Sequence, residues 1–577
     1  MRRCFILHPS SFILLFALTA FAQMPYDVGD WTSYRDFRYA VSVDAGSHEV
    51  FVATSGGILE YQLFRQRWYD PIVVGYGMSE AIPLDNPLLL LFDEQTGYVW
   101  VATKTQLLQY DVNAERWTVA GRNLWGINDR VVNIGVGAND LYVETVPGPL
   151  FANSFLPGSA IPTNNWMGYV TRYKGSRTSG GLMLDLGQTL PEGTRWRGLR
   201  SKTPLTPEQL SNNLGSGAAN FPTMLLPSGW IWNSDGTVLD PYLRSARLTD
   251  WTTDNFGHLW MTYWGAGVLL DDLRGGRPEF YQAGPAGNDV RTILVQKDDV
   301  WLAGLNAGDR KGIARASTNL KEWQVYESRD NSRIRSTNTF DMAAWDGDMW
   351  FATDDGLLAF RDKDKSWRLY GVNQHLQSDQ VTALAAADSE LWIGTADGLS
   401  VMTRASRDVF RINNRGPLLT NITRLALCGD TLYVGTGLGL YKGCTKDRSF
   451  AFAGVDPTIT SAAVTDLSVI QTEVWIATTG GVLAYDQSTG KSKSYQLSWL
   501  GGNPPTAIYA ASSFVWVGTQ AGLYRYRRSN NEWISYTTAD GLVDNRILAL
   551  RGDGDDLLIG TANGLTRFYW NRPNRAR

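Results

Sequence analysis

The amino-acid sequence predicts an all-β protein built from two β-propellers of six to seven four-stranded blades each. Three observations favour this fold: a nine-residue pattern occurs eleven times along the 577 residues, most copies lie 41 or 42 residues apart, and the chain is rich in glycine (58) and tryptophan (23). Repeats of roughly 40–45 residues with one aromatic motif per unit are typical of propeller blades. The eleven copies, together with one or two degenerate units in a long gap between two of them, make about twelve or thirteen units. This number exceeds the roughly 4–8 blades of one propeller, so two rings are expected.

Each copy of the pattern combines a short apolar strand with a turn. The copies are VFVATSGGI from Val50, VWVATKTQL from Val99, LYVETVPGP from Leu141, LWMTYWGAG from Leu259, VWLAGLNAG from Val300, MWFATDDGL from Met349, LWIGTADGL from Leu391, LYVGTGLGL from Leu432, VWIATTGGV from Val474, VWVGTQAGL from Val515 and LLIGTANGL from Leu557. One gap, between Leu141 and Leu259, spans 118 residues. That is about 2.8 periods, so degenerate blades are expected at about 144–250.

One unit shows how four strands follow from the sequence. After an outer strand (WRLY), the chain reads VTALAA for the innermost strand, LWIGT for the second and LSVMT for the third. Side chains alternate between strand faces, so Leu391 and Ile393 point to one neighbouring blade and Trp392 to the other. Most tryptophans are therefore structural; those that follow the template are Trp100, Trp260, Trp301, Trp350, Trp392, Trp475 and Trp516 in second strands, and Trp31, Trp68, Trp117, Trp323, Trp367 and Trp533 in outer strands.

The spacing also predicts where the rings divide. The seven copies whose second residues run from Trp301 to Leu558 make one complete ring. We therefore expect residues 23–280 to form the first propeller and residues 281–577 the second.

The two ends of the chain predict how one ring closes. Trp31–Tyr34 (WTSY) matches the outer strand Trp533–Tyr536 (WISY) but precedes the first blade, whereas the last unit ends at Trp570 without an outer strand. A surplus strand that pairs with Leu565–Tyr569 would cover the open edge of the last blade. The chain would then have both ends in one ring, with the other ring inserted between them.

Residues 1–22 are predicted to be a signal peptide. A positively charged start (Met1–Arg3) and an apolar core (Phe12–Leu18) precede an Ala20–Ala22 cleavage motif. We expect an exported protein that is periplasmic, cell-surface or secreted, without a membrane span, because no later apolar run approaches about 20 residues. The formal net charge of -4 argues against a nucleic-acid partner.

Beyond the leader the chain has two cysteines, Cys428 and Cys444. The repeat places them on strands of one blade that are separated by a further strand, hence near 10 Å apart. A disulfide requires Cα atoms within about 7 Å, so two free, partly buried thiols are expected, with a strained bridge as the alternative.

Residues for catalysis or metal binding are sparse. His48, His258 and His375 fall in turns or loops of different blades, without the spacing of metal ligands. Paired carboxylates fall at turns or strand ends, where Asp side chains cap backbone N–H groups; the pairs are Asp271-Asp272, Asp298-Asp299, Asp354-Asp355 and Asp555-Asp556. We therefore expect no catalytic residues, no metal and no cofactor.

Five aromatic residues depart from the template and are the candidate ligand-binding residues. Trp125 and Trp499 lie in loops that connect blades, Tyr76 lies in the long loop before Leu88, and Tyr263 and Trp264 replace the polar turn of their blade. An exposed aromatic side chain in a polar loop suits sugar stacking or a protein contact. The alternative is that each one packs on its neighbouring loop.

The segment Gly541–Leu565, GLVDNRILALRGDGDDLLIGTANGL, resembles the two-component regulator propeller repeat. The resemblance extends over about residues 30–570. It implies the fold of the extracellular two-propeller region of hybrid sensor kinases that detect glycans, and of the twin propellers of an outer-membrane-associated protein of the type IX secretion system. The chain stops after the last repeat, so we expect no β-sandwich, membrane helix or kinase, and no transmembrane signalling by this chain alone.

These features favour a non-catalytic binding or scaffold module that recognises a carbohydrate or a cell-envelope protein. One alternative is a lyase-type propeller enzyme, because Asp254–Trp260 (DNFGHLW) is similar to the turns of streptogramin-lyase propellers, and His258 would be its candidate residue. Another is a subunit of a secretion or cell-surface assembly.

Overall fold

The computed structural model describes residues 26, 28–76, 81–84, 87–122, 130–137, 140–146, 169–173, 184–186, 193–198, 226–233, 237–272, 278–305, 312–327, 333–334, 338–413 and 421–571. Their regular structure is mostly β-strand, with short helices at Val28–Asp30, Val372–Gln374, Pro457–Thr460 and Leu497–Leu500. Among the described residues, no helix has the length and apolar character needed to cross a bilayer.

The second ring is a propeller of seven four-stranded blades, here numbered 5 to 11. Their strands, from the innermost outward, are Thr292–Gln296, Asp299–Ala303, Gly312–Ser317 and Trp323–Glu327 (blade 5); Thr339–Trp345, Asp348–Thr353, Gly356–Arg361 and Ser366–Tyr370 (blade 6); Val381–Ala386, Glu390–Thr395, Gly398–Thr403 and Val409–Arg411 (blade 7); Ile422–Cys428, Thr431–Thr436, Gly439–Cys444 and Ser449–Phe452 (blade 8); Val464–Ile470, Glu473–Thr478, Gly481–Asp486 and Ser492–Gln496 (blade 9); Pro505–Ala510, Phe514–Thr519, Gly522–Arg527 and Glu532–Tyr536 (blade 10); and Ile547–Asp553, Asp556–Thr561, Gly564–Tyr569 and Trp31–Tyr34 (blade 11).

The N-terminal strand closes this ring. The innermost strand of each blade contacts that of the next, and blade 11 contacts blade 5. In blade 11, Trp31 pairs with Phe568 and Tyr34 pairs with Leu565. The indole of Trp31 stacks on the ring of Phe568, with centroids 3.7 Å apart. This is the pairing that the surplus strand predicts, and it covers an edge that would otherwise expose unpaired backbone groups.

The first ring is described through four blades, numbered 1 to 4. Their strands are Ala40–Ala45, Glu49–Thr54, Gly57–Gln62 and Arg67–Trp68 (blade 1); Leu89–Asp93, Tyr98–Ala102, Gln106–Asp111 and Arg116–Arg122 (blade 2); Arg130–Val136, Leu141–Val146, Tyr169–Tyr173 and Leu184–Leu186, with Arg195–Gly198 on the inner edge (blade 3); and Ser245–Thr253, His258–Trp264, Gly267–Asp272 and Glu279–Tyr281, with Thr237–Leu239 and Ile231–Trp232 on the inner edge (blade 4). A separate hairpin pairs Val74–Tyr76 with Ala81–Pro83.

Neighbouring blades are joined by side chains of the innermost strands as well as by apolar packing. The hydroxyl of Thr423 in blade 8 donates to the carbonyl of Val464 in blade 9 at 2.8 Å. The carboxylate of Asp466 in blade 9 accepts from the N–H of Ile508 in blade 10 at 2.8 Å. These bonds satisfy backbone groups that the strand ladder leaves unpaired. The second-strand tryptophans fill the space between blades and are fully buried or nearly so; they are Trp100, Trp260, Trp301, Trp350, Trp392, Trp475 and Trp516.

The rings meet at two short connections, residues 35–39 and 282–291. Phe37, which is 1% exposed, lies in an apolar cluster that includes Val43 of blade 1 and Leu565 of blade 11. Its N–H donates to the carbonyl of Ala283 on the other connection at 3.5 Å. One core therefore extends across both rings at this junction.

The cysteines lie where the repeat predicts. Cys428 and Cys444 pair with Thr431 from its two sides, so one strand separates them. Both are free, Cys428 buried and Cys444 partly exposed, which agrees with the expected unpaired thiols.

Candidate functional site

The upper face of each ring, as defined here, carries the turns between second and third strands and the connections between blades. Trp264 lies in the upper turn of blade 4, and 47% of its surface is exposed. Its ring packs against Tyr39, with centroids 5.0 Å apart and planes inclined by 56°. Tyr39 belongs to the connection between the rings, so Trp264 lies on the upper face beside the ring junction.

The backbone of this connection fixes the turn that carries Trp264. The N–H groups of Gly265 and Gly267 both donate to the carbonyl of Arg38, at 3.1 and 2.7 Å. Gly265 and Gly267 have φ values of 101° and 85°, which glycine adopts without strain. The exposed indole is therefore held on an ordered turn.

Tyr263, the neighbour of Trp264, is not available to a ligand. Its side chain is 0% exposed and lies in a core cluster of blade 4 that includes Leu226 and Val238. The ring of Phe280 packs edge-on against it, at 5.7 Å between centroids. The expectation that Tyr263 contributes to an exposed site is wrong because the added inner strands and the outer strand of blade 4 cover it.

Trp499 is exposed on the upper face of the second ring. It belongs to the single-turn helix Leu497–Leu500 between blades 9 and 10, and 54% of its surface is accessible. Leu500 is fully buried in the core between these blades and anchors the turn, while Gly501 ends it at a φ of 59°. Because Trp264 and Trp499 belong to different rings, they do not form one aromatic platform.

The two other candidates cannot be placed as side chains. Trp125 lies outside the described residues. Tyr76 ends the strand Val74–Tyr76, paired with Ala81, and its side chain also lies outside what the structure describes.

Three further apolar side chains, which the sequence did not predict as contact residues, are exposed on blades 7 and 8. Leu438, in the upper turn of blade 8, is 72% exposed, and Phe410 and Phe452 on outer strands are 46% and 39% exposed. Val409 packs toward blade 6 and Phe450 packs toward blade 7. Since side chains alternate along a strand, Phe410 and Phe452 both line the groove between blades 7 and 8.

A comparison of the repeats would have found Leu438. The equivalent turn positions of other blades hold small or polar residues, namely Gly56, Asp355, Asp397, Gly480, Ala521 and Asn563. The difference is easily missed because Gly439, directly after Leu438, matches the glycine of the template.

His258 is held within a hydrogen-bonded turn. Its Nδ1 lies 2.7 Å from the Oδ2 atom of Asp254, which also accepts from Nε1 of Trp260 at 2.9 Å. The other carboxylate oxygen accepts from the backbone N–H groups of Phe256 and His258. Asp254, His258 and Trp260 thus form a structural network at the lower end of blade 4. Among the described residues, no group of three or more His, Cys, Asp or Glu side chains could hold a metal ion.

Charged residues also line the centre of the second ring. Arg424 of blade 8 donates through Nε to Asp466 of blade 9 at 3.2 Å. Burial raises the pKa of Asp341 in blade 6 to about 6, although Arg424 and backbone N–H donors oppose that rise. Asp341 accepts from the N–H of Leu384 in blade 7 at 2.9 Å. These acids therefore join blades.

The fold and the exposed turns define a twin-propeller module whose candidate contact surfaces lie outside the blade cores. Searches by sequence found no matching family model and no matching curated protein. Among solved structures, the chain is similar to PorZ, an essential bacterial surface component of the type IX secretion system of Porphyromonas gingivalis. The TM-score is 0.57 at 14% identity, over 94% of this chain and 87% of PorZ.

Two extracellular domains of hybrid two-component systems from B. thetaiotaomicron also match. For BT4673 the TM-score is 0.45 at 12% identity, with 93% of this chain and 71% of that one covered. For BT3049 the TM-score is 0.42 at 15% identity, with 93% of this chain and 82% of that one covered. Of these three structures, PorZ has the one TM-score above 0.5, so the likeness to PorZ is the one that supports the fold.

Proposed function

We propose that this chain is an exported, non-catalytic binding scaffold that contacts its partners outside the cytoplasm through the upper faces of its two propellers. The observation that carries the proposal is the exposure of Trp264 and Leu438 in second-to-third-strand turns. Such turns need only small or polar residues, so a large apolar side chain there has no role in closing the hairpin. Exposed apolar side chains of this kind are typical of contact surfaces.

On the second ring we propose a protein partner from the cell envelope. Leu438, Phe410 and Phe452 are exposed on two adjacent blades. Large apolar and aromatic side chains at the centre of a contact supply most of the binding energy between proteins. The fold similarity to PorZ, a surface component of a secretion system, supports a place in such an assembly. The division into residues 23–280 and 281–577, apart from the N-terminal strand, is part of the same proposal.

The test is affinity capture from a cell-envelope extract with the purified mature chain as bait. We expect Leu438→Asp to lose the captured protein, because a charge at the centre of an apolar contact must be desolvated. Phe64→Asp is the matched control, since Phe64 is 62% exposed on the lower face of the first ring. Loss with both variants, or with neither, would contradict a specific upper-face contact.

On the first ring we propose a carbohydrate ligand at Trp264. The exposed indole, fixed by its glycine turn and supported by Tyr39, has the form of a stacking surface for a sugar ring. This surface is separate from that of the second ring, so the two activities can be tested independently.

A further inference from the structure

The residues beside Trp264 form a row across four chain segments. Trp264 pairs with Arg247 on the adjacent strand, and Arg247 pairs with Thr237 on the next. On its other side, Trp264 pairs with Tyr39. Directly opposed residues of antiparallel strands point to the same face of the sheet. At about 4.8 Å per strand, the row Tyr39–Trp264–Arg247–Thr237 is roughly 14 Å long.

The opposite face of these strands is packed, so the row is built on a rigid support. Leu248 pairs with Tyr263 behind it, and both lie in the apolar core of blade 4. Trp264 and Arg247 are exposed on the other face of these strands, which carries the row. A ligand on this row would therefore meet a preformed surface.

Arg247 is the charged member of the row. The nearby Arg244 is paired with Asp240 at 2.5 Å and with Glu327 of the second ring at 2.6 Å. No such ion pair engages Arg247 among the residues that the structure describes. Its guanidinium thus presents planar N–H donors to solvent beside an exposed indole, a group that binds carboxylates in a two-bond geometry.

We propose that this row binds an acidic carbohydrate, with a uronic acid ring stacked on Trp264 and its carboxylate bound by Arg247. The apolar C–H face of a pyranose ring suits the indole, and a uronate carries its carboxylate at the ring edge, where a side chain one strand away can reach it. Thr237 extends the row by one more strand, and its hydroxyl oxygen accepts from Nδ2 of Asn233 at 2.9 Å. The proposal rests on the carbohydrate role proposed above for Trp264 and specifies the class of sugar.

The experiment compares uronate-containing oligosaccharides with their carboxyl-reduced, neutral counterparts on one array, followed by titration of the members bound. We expect preference for an acidic member over its neutral counterpart. Trp264→Ala should weaken binding of the acidic member about tenfold, the effect of one lost stacking contact. Arg247→Gln should abolish the preference for the acidic member and leave neutral binding unchanged.

The control is Arg404→Gln, which removes an exposed arginine on the second ring. It should leave the binding of both acidic and neutral oligosaccharides unchanged. Melting temperatures verify that each variant is folded. Equal binding of acidic and neutral members, both lost in Trp264→Ala, would overturn the acidic class but keep the carbohydrate role of Trp264. Acid preference that survives Arg247→Gln would overturn the role of Arg247. Absence of binding to every member would overturn both, while capture through Leu438 would remain a separate result.

Discussion

Replacement of Phe37 by alanine tests whether the two propellers are joined by one core. Phe37 is 1% exposed and packs against residues of both rings. Loss of a fully buried phenylalanine costs about 3–5 kcal/mol, because apolar contacts are lost and a cavity remains. Because Phe37 lies at the contact between the rings, its loss should weaken the coupling between them. Each ring should then unfold at its own temperature.

Differential scanning calorimetry measures this coupling. For the unaltered protein we expect one main transition, and for Phe37→Ala two resolved transitions. Phe360→Ala is the control, since Phe360 is equally buried in a cluster confined to blades 5 and 6. It should lower the transition without splitting it. The shared core would be refuted if Phe37→Ala unfolded in a single transition whose temperature was lowered no more than that of Phe360→Ala.

Two further substitutions test the ring centre and the His258 turn. Burial raises the pKa of Asp341 to about 6, so proton uptake by this group should increase stability as the pH falls from 7 toward 4. In Asp341→Asn that part of the pH dependence of the melting temperature should vanish. An unchanged pH profile would contradict the raised pKa of Asp341. Asp254→Ala removes the acceptor of His258 Nδ1 and Trp260 Nε1 and should lower the free energy of unfolding by about 2–3 kcal/mol in urea titrations, whereas a change below about 0.5 kcal/mol would show that the network is not structural.

Repetition made the blade architecture predictable from the sequence. Each copy repeats the alternation of a blade strand, so the burial of Trp392 and the strand bounds around it follow from one template. The closing strand was predictable for the same reason, since WTSY at Trp31 matches the outer-strand motif at Trp533. The irregular additions, such as Arg195–Gly198 on the inner edge of blade 3, follow no template and could not be predicted.

The candidate site was predicted only in part. Trp264 departs from its sister turns, and its exposure agrees with that signal. Tyr263 carries the same signal, but it faces the opposite side of the strand, where residues before blade 4 cover it. Arg247 was not predicted, because only the register of two strands places it beside Trp264.

A disulfide across the closing strand tests the architecture most directly. Ser33 and Thr566 are paired, and their hydroxyl oxygens lie 2.9 Å apart. Opposed residues of antiparallel strands have Cα atoms about 4.5–5.5 Å apart, within disulfide range. The substitutions Ser33→Cys and Thr566→Cys are made in a chain in which Cys428 and Cys444 are serine, and linked peptides are identified by mass spectrometry.

The predicted result is an intramolecular link between positions 33 and 566 in nearly all molecules after mild oxidation. Ser33→Cys combined with Ser535→Cys is the control and should remain unlinked, because Ser535 lies on the outer strand of blade 10, paired with Tyr524. Free thiols at 33 and 566, or a link in the control pair instead, would contradict closure of the second propeller by the N-terminal strand.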